Sequence, residues 1–306
     1  TQKKESRETI RFTDNWKFIL QDSSSFKSVG FDDSGWRTLN LPHDWSIEGN
    51  FDPSHPAGVG GGALPGGIGW YRKTFTIPKQ KEGKRFLIDF DGVYMNSEVW
   101  INGHFLGKRP YGYSSFRYDL SPYLHFGQQP NVLAVRVDNS MQPNSRWYSG
   151  SGIYRNVWLT SVSPVYIKHW GSHITTPKIS PDEAWVQAEY DLKNASGQEP
   201  AVRLVMKIMG PSGKQVAIAQ KEGIRAYAQS EKKLRLSVKV SSPKLWSIEN
   251  PQQYKAVAEV WAGGKLTDRH ETPFGIRYFH FDKNKGFFLN GHPVKLKGVC
   301  LHHDLG

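Results

Sequence analysis

Cysteine is almost absent from this chain. Cys300 is the single cysteine among 306 residues, so no internal disulfide framework can form. The absence of disulfides is compatible with a cytosolic and with a secreted protein. The polar start "TQKKESRET" is compatible with an ordinary terminus and with the end left after a signal peptide is removed. The compartment stays unknown, with the periplasm or secretion preferred over the cytoplasm. Cys300 itself is expected to be a small buried apolar residue.

Long apolar runs, helical periodicity and ligand motifs are also lacking. No run is long enough for a membrane span, and no window repeats its apolar residues every 3.6 positions. No zinc-ligand spacing, P-loop or dinucleotide glycine pattern occurs, so we expect no metal and no cofactor. The net charge is +12, but lysine and arginine are scattered among acids. We therefore expect a solvated surface and no nucleic-acid partner.

Aromatic residues, glycine and proline are abundant, which suits many short strands and turns. The glycine-rich stretch at 55–69 predicts a flexible surface loop. Asn102-Gly103, between two alternating runs, is a strong hairpin signal. Closely spaced strand-like runs without helices between them predict an antiparallel sandwich or jelly roll. These runs are "WYRKTFTIP", "KRFLIDFDGV", "NSEVWINGHFLGKR", "SSFRYDL", "NVLAVRVDN" and "GIYRNVWLTSV".

The character of the sequence changes twice. After Ser163-Pro164, longer alternating runs predict roughly seven strands in about a hundred residues, the count of an immunoglobulin-like sandwich, although no cysteine pair supports it. After Phe274-Gly275, an Asn290-Gly291 turn predicts a small hairpin. It leads into an apolar run long enough for one buried strand: Val294, Leu296, Val299 and Leu301. The predicted domains are therefore 1–163, 164–275 and 276–306.

The order of these motifs resembles the N-terminal half of the family 2 glycoside hydrolases, which include β-galactosidases, β-glucuronidases and β-mannosidases. The resemblance implies an all-β fold: a jelly-roll (galactose-binding-like) sandwich, an immunoglobulin-like β-sandwich, and the first strand of a missing (β/α)8 barrel. Without barrel neighbours, that strand is expected to be disordered or to cover another sheet edge. The motifs are "NLPHDW", "FDGVYMNSEVWINGHFLGKRPYGYSSFRYDLSPYL", "SGIYRNVWL", "LWSIENPQQYKAVAEV" and "FGIRYFHFDKNKGFFLNGHPVKLKGVCLHHD".

The function implied by the resemblance is that of a retaining exo-β-glycosidase acting on terminal β-galactosides. In the family, both catalytic glutamates lie on later barrel strands, so this chain alone is expected to be inactive. The segment "GVCLHHD" looks nearer to galactosidases than to glucuronidases, but a β-glucuronidase stays open. A stand-alone lectin-like carbohydrate-binding protein and a tandem-sandwich adhesion module are the alternatives from other classes. A homo-oligomer is left open.

The resemblance also implies site residues. His302 matches a histidine that contacts the sugar, and His303 and Asp304 lie at the same strand end. Neighbours on a strand point to opposite faces, so these three are not expected to hold one metal. A loop of the first domain carries an acid nine positions before the arginine of the "GIYR" motif, but Arg146 stands at that position here. Asp44 is the alternative acceptor.

Several residues have a structural interpretation beside the functional one. Trp100 and Trp158 are expected in the core, whereas Trp45 and Trp147 stay open between core packing and sugar stacking. His43 and His55 are expected to be loop histidines satisfied by solvent or backbone, and the acids Glu48, Glu98 and Glu271 to be solvated. The predicted substrate-binding set is His302, His303, Asp304, Asp44, Arg146 and Trp147, with no catalytic residue.

Overall fold

The computed structural model describes residues 6–145 and 148–300. Within these residues the chain is all-β, and its helices are four single 3-10 turns, as predicted from the sequence. Of the described residues, those within 8–161 form one compact unit, and 6–7 with 162–300 form another. The 3-10 turns are Ser24–Lys27, Val59–Gly61, Lys79–Lys81 and Ser121–Tyr123.

The first unit is a sandwich of two antiparallel sheets, which confirms the jelly-roll prediction. Its strands are β1 (Arg7–Arg11), β2 (Trp16–Ile19), β3 (Arg37–Leu39), β4 (Gly67–Phe75), β5 (Arg85–Phe90), β6 (Ser97–Ile101), β7 (His104–Arg109), β8 (Phe116–Asp119), β9 (Asn131–Asn139) and β10 (Val157–Val162). One sheet has the order β1-β10-β5-β8 and the other β3-β2-β4-β9-β6-β7. Apolar residues from both sheets meet in one core that includes Trp16, Tyr71, Ile88, Phe90, Ile101, Leu133 and Val135.

A second aromatic cluster buries further residues of the six-stranded sheet. Trp70 and Trp100 stack at 5.3 Å, and Phe26 and Trp36 from the β2–β3 connection pack with them. Trp100 is therefore a core residue, as expected. The β2–β3 connection is held by Arg72 of β4. Its buried guanidinium donates to Asp33 Oδ2 (2.7 Å) and to the carbonyl oxygens of Phe26 and Ser28.

Both predicted Asn-Gly turns are confirmed. Asn102 and Gly103 have φ values of 50° and 79° and join β6 to β7, and Asn290 and Gly291 have φ values of 51° and 81°. Positive φ at both central residues is what a tight hairpin of this kind requires, and asparagine and glycine tolerate it best.

The glycine-rich stretch is only partly a surface loop. Gly67–Gly69 belong to β4, and Ala57 and Leu64 are buried. A Cβ added at Gly69 would lie 2.8 Å from Trp45 and 2.9 Å from Phe18. The expectation of a flexible loop is therefore wrong at its C-terminal end, because glycine there makes room for aromatic rings.

The larger part of the second unit is a sandwich of seven strands in two sheets, which confirms the immunoglobulin-like prediction. The strands are β11 (Val165–Ile179), β12 (Glu183–Asn194), β13 (Ala201–Met209), β14 (Gln215–Arg225), β15 (Ser230–Ser241), β16 (Tyr254–Ala262) and β17 (Lys265–Phe274). The sheet orders are β11-β12-β15 and β14-β13-β16-β17. β12 shows the two-residue period clearly, because Ala184, Val186, Ala188, Tyr190 and Leu192 all face the core.

A small three-stranded sheet follows, formed by β18 (Phe279–Asp282), β19 (Gly286–Leu289) and β20 (His292–Pro293). Beyond it, residues 294–300 form no strand, although the backbone N–H of Val294 still donates to the carbonyl oxygen of Phe287 in β19 (2.9 Å). Leu296 and Val299 are 69% and 86% exposed. Cys300 is exposed too, so the expectation that it is buried is wrong. The physical reason is that the run continues from β20, an edge strand of this small sheet, so no described strand covers it on its other side.

Membrane insertion through a helix finds no support in the residues described. None of the helices there has the length and apolar composition that crossing a bilayer requires.

We expect Arg72→Met to destabilise the first unit by about 3 kcal/mol, because the substitution leaves Asp33 and two carbonyl oxygens without their donor. Urea unfolding followed by tryptophan fluorescence measures the change. Lys79→Met is the matched control, since Lys79 forms an exposed pair with Glu82 and should cost under about 0.5 kcal/mol. Equal losses for both variants would contradict the structural role of Arg72.

Candidate functional site

A recess of about 300 Å³ in the first unit is lined by one carboxylate and four tyrosines. Its lining residues are Asp44, Tyr94, Tyr113, Tyr148, Ser149, Gly150 and Tyr154. A larger cavity of about 550 Å³ lies beside the exposed run after β20, but phenylalanine, proline and lysine dominate its lining. A mostly apolar wall with a few convergent polar groups is typical of a small-molecule site, so the recess is the stronger candidate.

Asp44 holds the recess together. Its Oδ1 accepts hydrogen bonds from the backbone N–H groups of Ser46 (2.9 Å) and Ser151 (2.8 Å), and its Oδ2 accepts one from the Tyr148 hydroxyl (2.5 Å). A Cβ added at Gly150 would lie 2.0 Å from Oδ2, so glycine is required beside the carboxylate. Asp44 therefore joins the segment after β3 to the segment before β10.

A chain of neutral hydrogen bonds continues from this carboxylate to the opposite wall. Ser46 Oγ lies 2.7 Å from Ser151 Oγ, within hydrogen-bonding distance, and Asn139 Nδ2 donates to Ser151 Oγ (2.7 Å). Asn144 Nδ2 donates to Asn139 Oδ1 (2.7 Å), and the Tyr94 hydroxyl donates to Asn144 Oδ1 (2.9 Å). Because Asn139 is the last residue of β9, the network anchors both walls to the six-stranded sheet.

The tyrosine hydroxyls are oriented by protein acceptors. Tyr94 donates to Asn144, Tyr148 to Asp44, and Tyr154 to the carbonyl oxygen of Gly112 (2.8 Å). Burial, together with the hydrogen bond to Asp44, raises the pKa of Tyr148. Burial also raises the pKa of Tyr154. Both phenols therefore stay neutral at physiological pH, with each hydroxyl hydrogen pointing at protein and the oxygen free to accept.

Of the predicted site residues, Asp44 lies in the recess. Arg146 and Trp147 lie outside the described residues, as do His302, His303 and Asp304, so these five remain predictions.

The structure describes two further tryptophans discussed above: Trp45, left open between core packing and sugar stacking, and Trp158, expected in the core. Trp45 is buried, donates to the Gly66 carbonyl oxygen (2.8 Å) and stacks on Phe18 at 5.7 Å, so it is a core residue. Trp158 is half-buried and donates to Asp91 Oδ2 (2.9 Å).

The expectation that His43 is a loop histidine satisfied by solvent or backbone is wrong. His43 is 7% exposed, its Nδ1 lies 2.7 Å from the Tyr71 hydroxyl, and its Nε2 lies 3.4 Å from Glu48 Oε2. It is thus a buried histidine within a side-chain network, because the loop that carries it folds over Phe18 and Tyr71. His55 does bond to backbone, with Nδ1 2.9 Å from the Ala63 carbonyl oxygen.

The three acids expected to be solvated are each paired with a basic residue. Arg37 donates two hydrogen bonds to Glu48 (2.6 and 2.8 Å), and Lys108 lies 3.3 Å from Glu98. Lys255 lies 2.6 Å from Glu271. No two of these acids form a pair with each other.

The tyrosines of the recess were missed by sequence reasoning. The stretches "YGYSS" and "WYSGSGIY" place tyrosines beside glycines between predicted strands. That density of rigid aromatic side chains in loops was the available signal. In residues 6–145 and 148–300, no group of three or more histidine, cysteine, aspartate or glutamate side chains is placed to hold a metal ion.

Two family models match the chain. Residues 15–163 match the one described as "Glycosyl hydrolases family 2, sugar binding domain", and residues 165–277 match the one described as "Glycosyl hydrolases family 2".

Relatives are similar over almost the whole chain. The β-galactosidase BoGH2A of Bacteroides ovatus is 50% identical over 98% of this chain and 35% of its own length. A β-glucuronidase of Bacteroides fragilis is 30% identical over 97% of this chain and 42% of its own. The crystal structure of a family 2 member from Bacteroides cellulosilyticus superposes with a TM-score of 0.92, at 37% identity, over 97% of this chain and 39% of that one. The chain thus spans between about a third and two fifths of the length of these relatives.

We expect Asp44→Ala to cost about 2 kcal/mol of unfolding free energy, because it leaves the Ser151 N–H and the Tyr148 hydroxyl without an acceptor. Tyr148→Phe should cost about 1 kcal/mol, and the double variant should cost less than the sum of the two. Urea unfolding of all three variants measures the coupling. Strict additivity would show that Asp44 and Tyr148 do not act together.

We expect the first unit to lose stability as the pH falls below about 6.5, the usual histidine pKa. Burial lowers the pKa of His43, so at acidic pH the unfolded chain binds a proton that the folded chain resists. Above that pH both states are neutral and this contribution vanishes. His43→Gln should reduce the difference in unfolding free energy between pH 7.5 and pH 5.5, whereas the surface control Lys79→Met, which removes no histidine, should leave it unchanged. The same pH dependence in His43→Gln as in the wild type would exclude His43 as its source.

Proposed function

Because the chain belongs to glycosyl hydrolase family 2, we propose that it is the N-terminal, non-catalytic region of a retaining exo-β-glycosidase acting on terminal β-galactosides. The observation that carries the substrate assignment is the 50% identity to a protein named as a β-galactosidase, over 98% of this chain. In this proposal residues 1–163 are the sugar-binding sandwich, 164–275 the immunoglobulin-like sandwich, and 276–306 the entry into the catalytic barrel.

Hydrolysis is assigned to the part of the enzyme that follows this chain. A retaining mechanism uses two carboxylates about 5–5.5 Å apart, one as nucleophile and one as general acid and then base. Glu48, Glu98 and Glu271 are each engaged with a basic side chain and are not paired with one another. The chain alone is therefore proposed to be inactive.

The contribution of this chain is to position the sugar. A carboxylate has about four acceptor positions, and protein donors reach Asp44 at three of them. The fourth is proposed to accept a hydrogen bond from a sugar hydroxyl. Arg146 and Trp147, immediately before Tyr148, are proposed as further contacts, and so are His302, His303 and Asp304. A rigid wall of this kind lowers the entropic cost of bringing substrate to the reacting groups.

A β-glucuronidase is the second candidate. Its support is the 30% identity to a Bacteroides fragilis protein named as a β-glucuronidase. The substrates of the two candidates differ in two features: a glucuronide carries a carboxylate where a galactoside carries a neutral hydroxymethyl group, and its 4-hydroxyl has the opposite configuration.

The test compares the complete gene product with this 306-residue chain. The complete protein should hydrolyse 4-nitrophenyl β-galactoside with retention of configuration and act much more slowly on the β-glucuronide, whereas the chain alone should hydrolyse neither. In the complete protein, Arg146→Ala should raise the KM about tenfold, because a charged hydrogen bond to substrate is lost. Arg136→Ala is the control, since Arg136 pairs with Asp22 outside the recess. Hydrolysis by the chain alone would overturn the proposal, and preference for the glucuronide would favour the second candidate.

A further inference from the structure

Two large aromatic side chains stand exposed at the mouth of the recess. Tyr111 and Tyr113 are 63% and 49% exposed. Their ring centroids are 5.7 Å apart with an interplanar angle of 66°, and Tyr113 lies 5.2 Å from Tyr94 inside the recess. The aromatic surface therefore continues from the recess outwards.

The loop that carries these rings is held tightly in place. A Cβ added at Gly112 would lie 2.3 Å from Tyr94 Cδ2, so glycine lets the loop press against that ring. The Gly112 carbonyl oxygen accepts from Tyr154, and the Pro110 carbonyl oxygen accepts from the backbone N–H of Asn96 (3.1 Å). Tyrosine side chains fixed in this way lose little conformational entropy when a ligand binds.

We propose that the recess and the Tyr111–Tyr113 pair together bind two consecutive rings of a neutral oligosaccharide. The inference rests on the proposed function and names the substrate class of the same site. The first ring lies in the recess of about 300 Å³, beside the Asp44 carboxylate. The next ring then lies outside, where its C–H face stacks on the electron-rich face of an exposed tyrosine.

The polar groups of the recess select a neutral sugar. Tyr94, Tyr148 and Tyr154 each donate their hydroxyl hydrogen to protein, so each oxygen can only accept from the ligand. Sugar hydroxyl groups are donors and satisfy these acceptors. A uronic acid carboxylate is only an acceptor, and it would also lie beside the Asp44 carboxylate, where like charges repel.

The test is isothermal titration of the 306-residue chain with three probes: β-1,4-galactobiose, methyl β-galactoside and methyl β-galacturonide. Galactobiose should bind about fivefold more tightly than the monosaccharide, as one added aromatic contact implies. The galacturonide, which differs from methyl β-galactoside only in its carboxylate, should bind more weakly than methyl β-galactoside. Tyr111→Ala should reduce the galactobiose affinity to that of methyl β-galactoside and leave the latter unchanged. Tyr123→Ala is the matched control, since Tyr123 is a partly exposed tyrosine of the same unit that stacks on His104.

Three results would overturn the inference: equal affinities for galactobiose and the monosaccharide, an unchanged galactobiose affinity in Tyr111→Ala, or no binding of any neutral probe. Its failure is distinguishable from failure of the proposed function. If the complete protein hydrolyses β-galactosides but the chain binds galactobiose and methyl β-galactoside equally tightly, the proposed function stands and this inference is wrong. If galactobiose binds more tightly but the complete protein hydrolyses no β-galactoside, this inference stands and the proposed function is wrong.

Discussion

The Asp44 carboxylate is the constraint on which the recess depends. A β-sandwich fixes its strands through two sheets but leaves the loops at its ends free to diverge, so a site built from those loops needs its own link. Asp44 supplies it, because hydrogen bonds to a charged acceptor are about twice as strong as neutral ones and three of them converge here from two segments. The glycine at 150 then lets the backbone lie against the carboxylate. Without Asp44, Ser46 on one segment and Tyr148 and Ser151 on the other would not share a hydrogen-bond acceptor.

A second charged side chain of the first unit, Arg72, orders a loop as a hydrogen-bond donor, whereas Asp44 acts as an acceptor. Arg72 is a buried donor whose guanidinium reaches two carbonyl oxygens and Asp33, and it fixes the long connection after β2 over the six-stranded sheet. Asp44 is an acceptor that gathers donors at one end of the sandwich. In both cases a single ionised group satisfies several polar groups of irregular backbone, which explains how long loops can be ordered without secondary structure of their own.

Local sequence patterns predicted the fold well and the site poorly, for one physical reason. Alternation of period two and Asn-Gly turns are encoded within a few residues, so β12 and the turn at Asn102-Gly103 could be read directly. The burial of His43, the exposure of Cys300 and the place of Gly69 beneath two rings depend on which distant segments meet. The four tyrosines of the recess come from three connections, β5–β6, β7–β8 and β9–β10, so the sequence of one connection alone does not show that they converge. Asp44 was found only because a family motif carries it.

The proposed division between a sugar-positioning region and a separate catalytic part agrees with the electrostatics of the described acids. A retaining glycosidase needs one carboxyl group with a raised pKa to act as general acid. The acids here are shifted the other way: the hydrogen bond from Arg37 lowers the pKa of Glu48, and that from Lys255 lowers the pKa of Glu271. A net charge of +12 makes such pairing common on the sandwich surfaces, and a carboxylate stabilised by a cation gives up a proton too readily to serve as an acid. A raised pKa requires burial away from cations, which the interior of a separate barrel can provide. Sandwiches whose acids are paired with cations are better suited to positioning a neutral sugar than to protonating the leaving-group oxygen of a glycoside.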